Sequence, residues 1–77
     1  MTHNAVVLVT CQPNQVTYTK KSLDKLPSVS TAIAVTGAYN LIVKITTSSI
    51  KELRKIITNQ IQNMKTVHST LTLSVIQ

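Results

Sequence analysis

The order of hydrophobic patterns along these 77 residues predicts an α+β sandwich, β-α-β-β-α-β. Three observations carry it. Four short runs rich in Val, Ile, Leu and Thr read as strands. Two stretches between them repeat apolar residues at three- and four-residue spacing, the period of a helix. The only glycine, Gly37, sits between the second and third strand-like runs and marks a hairpin, because glycine reaches positive φ without steric penalty.

Taken in order, Ala5 to Cys11 is a continuous apolar, β-branched run, as in a strand covered on both faces. Gln12-Pro13-Asn14 breaks it, since proline has no amide hydrogen for a ladder. From Asn14 to Leu26, Val16, Thr19, Leu23 and Leu26 form one helical stripe, with Asn14 the candidate N-cap and Pro27 the stop. Val29 to Thr36 is the second strand. Gly37 turns the chain, and Tyr39 to Thr46 returns it. Ser49 and Glu52 then form an S-x-x-E capping box, opening a helix whose core stripe is Ile50, Leu53, Ile56, Ile57, Ile61 and Met64. Val67 to Ile76 closes the chain as a strand.

Two βαβ units joined by a hairpin make a ferredoxin-like sandwich: a four-stranded antiparallel sheet with two helices on one face. Right-handed crossovers put the first and third strands in the middle. Both helices end alike, in Leu26-Pro27-Ser28-Val29 and Met64-Lys65-Thr66-Val67, so the halves share a design. Alternation assigns Ile33, Val35, Leu41, Val43, Ile45, Leu71, Leu73 and Val75 to the helix-covered face. The other face then carries Ala32, Ala34, Ile42, Thr70, Thr72, Ser74 and either Val6 with Leu8 or Val7 with Val9. Apolar atoms on an open sheet mark an interaction surface, which predicts a two-fold homodimer packed sheet against sheet as a dimeric α+β barrel.

Size and composition set limits. There is room for one domain, 1–77. A domain this small is marginal without help. Cys11 is alone, so no disulfide is available, and Cys11, His3 and His68 lack metal-ligand spacing. Oligomerisation is the remaining aid. No apolar run reaches the ~20 residues of a membrane span, and Met1-Thr2-His3-Asn4 does not open a signal peptide. A cytoplasmic protein without cofactor or metal is expected.

The net charge of +6 comes from eight cations against Asp24 and Glu52, and seven of the eight lie in or just after the two helices. The plain reading is solvated helix faces; the sharper one is a footprint for a polyanion. No helix-turn-helix fits and no aromatic platform is available for bases, so direct DNA binding is not expected. Two carboxylates on separate helices and no nucleophile-base set leave enzyme chemistry little to stand on.

The residues also carry a resemblance. Ile33-Ala34-Val35-Thr36-Gly37-Ala38-Tyr39-Asn40-Leu41-Ile42-Val43-Lys44 resembles the V-T-G-x-Y-D-L segment of the effector-binding domain of Lrp/AsnC regulators, also called the RAM domain. Ser69 to Ile76 is similar to that domain's closing strand with its Thr-x-Thr alternation, and Leu26-Pro27-Ser28-Val29 to its L-P-G-V join. The resemblance covers Ala5 to Ile76. It implies the same fold, dimers of facing sheets, and an octamer of four dimers closing into a ring. It also implies a small effector, typically an amino acid, bound at contacts between dimers.

Since about four residues precede the first strand, the resemblance is to a stand-alone form lacking the helix-turn-helix domain. Such a form would modulate transcription or amino acid metabolism through assembly. The alternative is a ligand-independent docking partner of full-length Lrp-type regulators. Carried over by position, the hairpin Thr36, Gly37, Ala38, Tyr39 and Asn40 would line the effector pocket, with Thr70 and Thr72 adding hydroxyls. Turn amides and carbonyls with Thr hydroxyls suit a zwitterion. Asn40 departs from the Asp common in the family, which removes a charge partner worth ~1–3 kcal/mol to an ammonium group. Ser28 and Thr66 stand where glycine is usual.

Overall fold

A computed structural model describes residues 2–75. The chain runs β1 (His3–Cys11), α1 (Val16–Asp24), β2 (Val29–Ala34), β3 (Leu41–Thr47), α2 (Ile50–Lys55) and β4 (Val67–Ser74). A π-helix, Ile56–Ile61, continues α2 without a break. The strands form one antiparallel sheet in the order β2-β3-β1-β4, with the first and third strands central as the crossover rule requires. This is the ferredoxin-like α+β fold. No helix among the described residues is long and apolar enough to cross a membrane.

The core lies between sheet and helices. Ala5, Val7, Val9 and Cys11 of β1 and Leu41, Val43 and Ile45 of β3 supply its sheet side. Leu23 of α1, Leu53 of α2 and Ile56, Ile57 and Ile61 of the π-helix close it. The predicted helical stripes are therefore the buried ones, Ile50 excepted, which stays 49% exposed at the start of α2.

The two helix ends repeat one geometry. Leu26 N–H donates to Leu23 O and Val29 N–H to Leu26 O, at 3.0 and 3.1 Å. Met64 and Val67 do the same to Ile61 and Met64, both at 3.1 Å. The Thr66 hydroxyl serves the core here: Thr19, fully buried, bonds Thr66 Oγ1 and Gln15 O, each at 2.7 Å.

Several expectations are corrected. Asn14 does not cap α1. It takes φ +64° in the turn Gln12-Pro13-Asn14-Gln15, where Gln15 N–H donates to Gln12 O at 3.1 Å. Pro at the second and a left-handed Asn at the third position suit a type II turn, and the helix starts two residues later than expected. The capping box is half formed. Glu52 N–H donates to Ser49 Oγ at 3.1 Å, but the Glu52 carboxylate accepts from Ser48 Oγ. β2 ends at Ala34 and β3 starts at Leu41, so the hairpin loop is wider than a tight reversal. The expected end of the last strand, Ile76, lies outside the described residues.

The larger correction concerns faces. Leu41, Val43, Ile45 and Ile42 lie where alternation put them. Ile33, Leu71 and Leu73 lie on the open face, while Ala32, Ala34, Thr70, Thr72 and Ser74 share the helix side. Val35 lies beyond the end of β2, and Val75, expected on the helix side, is 49% exposed. In β2 the cause is a bulge: pairing shifts between Val29 and Thr31, so Val29 and Ala32 face the core together. In β4 the cause is position. Thr70 pairs Val9 and Thr72 pairs Val7, both core residues, but β4 is an edge strand that the helices do not fully roof, and polar side chains occupy its helix side.

The open face is consequently the more apolar of the two readings. Ile33, Ile42, Leu8 and Leu71 pair in succession across all four strands, one unbroken apolar row. Val6 and Leu73 extend it. Ser30, Thr46 and Asn4, joined by side-chain hydrogen bonds of 3.2 and 2.9 Å, make a polar rim.

Candidate functional site

The hairpin is built around Asn40. Val35 N–H donates to Asn40 O and Asn40 N–H to Val9 O, both at 2.9 Å. Asn40 Oδ1 accepts from Cys11 N–H at 2.8 Å, extending the β1–β3 ladder by a side chain where the main chain has left it. The side chain that the resemblance places in the effector pocket thus also holds the loop to β1. Gly37, at φ +124°, permits the turn, and a Cβ there meets nothing within 4 Å. Thr36, Gly37 and Ala38 are exposed and Tyr39 is half-buried.

Thr70 and Thr72 lie across the sheet. Thr70 pairs Val9, which pairs Leu41, so Thr70 is two strands, roughly 10 Å, from the strand that follows the hairpin. Its hydroxyl accepts from Gln62 Nε2 at 2.9 Å, tying the end of the π-helix to β4. It borders a recess of ≈ 240 Å³ with Gln62, Val67, His68 and Ser69. Thr72 borders another, of ≈ 350 Å³, between β4 and the second helix. The structure therefore brings Asn40 and Thr70 to one end of the sheet but not into one pocket; neither β4 recess is lined by residues 36–40.

The larger recess is a groove with a definite chemistry. Buried Leu53 and Ile57 and the half-exposed Ile50 supply its apolar lining. Arg54, Thr58, Thr72 and Ser74 supply polar groups around it. Among the described residues the one ion pair is Lys20–Asp24, at 2.9 Å on α1, so Arg54 has no carboxylate partner. Such a surface offers an apolar wall, a permanent cation and three hydroxyls.

Sequence reasoning missed Arg54 and Thr58. The signal was present: Ile50, Arg54 and Thr58 recur every four residues along one rim of the core stripe. In a split βαβ arrangement that rim runs beside the last strand.

Residues 4–77 match the family model described as the Lrp/AsnC ligand binding domain. No curated protein matches the chain. Among solved structures, that of FFRP-DM1 is 31% identical with a TM-score of 0.94, covering 96% of this chain and 99% of its own. The hypothetical protein PHS023 from Pyrococcus horikoshii is 31% identical over 100% of this chain and 92% of its own, with a TM-score of 0.92. AsnC of E. coli is 26% identical with a TM-score of 0.91; the match covers 97% of this chain and 51% of AsnC. By the span of the family match, this chain belongs to the Lrp/AsnC ligand-binding domain family, whose members are transcriptional regulators rather than enzymes.

Proposed function

We propose that the chain binds a small effector, an amino acid or a close chemical relative, and couples that binding to assembly, thereby modulating transcription or amino acid metabolism. The observation that carries the reading is the groove between α2 and β4. It combines apolar side chains, a guanidinium without a carboxylate partner among the described residues, and hydroxyls in a volume within the range of small-molecule sites, ~300–1,000 Å³.

Assembly is supported by the open sheet face. Leu71 and Leu73 are nearly half exposed, in line with Ile33, Ile42 and Leu8. The reading is a homodimer of facing sheets, with four such dimers forming a ring when effector is bound. Because the hairpin Thr36–Asn40 and the β4 threonines line different surfaces of one chain, the hairpin contributes to a site across a contact between copies. The same open face suits hetero-assembly with full-length Lrp-type regulators.

Light scattering of the chain alone, and with each of the twenty amino acids and their 2-oxo counterparts, tests this. A multiple of the dimer mass that shifts with one compound is expected. A monomer, or a particle indifferent to every compound, would sink the effector reading; in the second case docking onto a full-length regulator takes its place.

A further inference from the structure

We propose that the α2–β4 groove seats an aliphatic monocarboxylate without an ammonium group, such as a branched 2-oxo acid, in preference to the amino acid of the same skeleton. This rests on the effector-binding reading above.

The groove has a carboxylate receptor. The Arg54 guanidinium is planar, permanently charged and fork-shaped, the geometry that grips a carboxylate with two parallel hydrogen bonds. Beside it Leu53 and Ile57 offer a buried aliphatic surface, and Ile50 is left 49% exposed at the mouth. A branched aliphatic tail would cover all three.

Among the described residues the groove has no ammonium receptor. The chain carries two acidic side chains, Asp24 and Glu52, and neither lines it. Asp24 is 2.9 Å from Lys20 Nζ on α1. Glu52 accepts from Ser48 Oγ at the helix start. Asn40 is neutral and its Oδ1 holds the Cys11 amide. An ammonium group entering the groove would lose water, find hydroxyls in its place and feel the like charge of Arg54. A 2-oxo group on the same carbon accepts hydrogen bonds, which Thr58, Thr72 and Ser74 can donate.

The test is calorimetric titration of the whole chain, at low salt, with 4-methyl-2-oxopentanoate, 4-methylpentanoate and leucine. The two acids are expected to bind at least ten-fold more tightly than leucine. Arg54→Gln should weaken the acids at least ten-fold without shifting the melting temperature of the free protein, and Arg54→Lys should recover part of the loss. Thr58→Glu, which places a carboxylate in the groove, should move the preference toward leucine. Leucine binding as tightly as the acids overturns the proposal, as does acid binding that survives Arg54→Gln. An amino acid that binds regardless of Arg54→Gln but fails with Tyr39→Ala overturns the groove assignment while the effector reading stands. No binding by any compound of either panel removes both.

Discussion

Asn40 illustrates how one residue can be legible in type and misleading in role. Its place at the end of a Gly-containing turn marks it as a polar position that matters, and the resemblance points it at a ligand. The structure uses both its main-chain groups and its side-chain oxygen to fasten the loop to β1. Nothing in a linear sequence reveals that Cys11, 29 residues away, would otherwise lack an acceptor. Asn40→Ala should therefore cost ~1–3 kcal/mol in urea unfolding, the penalty of stranding a part-buried amide. Asn40→Asp, which keeps an acceptor, should cost measurably less; equal losses would show that the hydrogen bond is not what matters. Gly37 is the turn glycine that its place between two strand-like runs predicts. A Cβ there is sterically free, so Gly37→Ala carries only the strain of φ +124°, ~1–3 kcal/mol, with no change in partner packing.

At the scale of elements, periodicity located every strand and helix, and the errors are confined to ends and faces. The second helix shows why. Its stripe was continuous in the sequence from Ile50 to Met64, yet the backbone changes to π-helix at Ile56, with Gln62 N–H donating to Ile57 O at 2.8 Å. Ile56, Ile57 and Ile61 all still reach the core, as the three- and four-residue spacing requires. Ile50, an equal member of the stripe on paper, sits at the groove mouth. Ile61→Ala should cost ~2–5 kcal/mol by cavity formation, whereas Ile50→Ala should stay within about 0.5 kcal/mol. Thermal or urea unfolding of the pair checks this, and similar losses would refute the assigned burial. The bulge in β2 has the same lesson. Strict alternation decides a face only while pairing stays in step, and a one-residue shift moves every later side chain across.

For the molecule as a whole, fold and strand order were legible because they follow from element order and handedness. The faces of the edge strands were not, because alternation locates the core only when the other face is polar, and here both faces of the sheet are apolar. That second apolar face is the physical argument for a partner. A chain of 8.4 kDa has a small core, and leaving the Ile33–Ile42–Leu8–Leu71 row in water forgoes burial it can ill spare. Lys44, on the same face and paired with Val6, indicates where a two-fold axis can pass. In the proposed homodimer an axis beside it would bring two like charges together where no described residue supplies a carboxylate, which favours an axis near Leu8, with the Lys44 ammonium at the rim. Leu8→Lys, at the centre of the row, should accordingly reduce the light-scattering mass to one chain and lower the melting temperature. Lys44→Met, which removes only the rim charge, should leave the assembly intact or tighten it. If Leu8→Lys keeps the mass of the unaltered protein, the open face is not the interface. If Lys44→Met alone dissociates the particle, the axis lies elsewhere on the sheet.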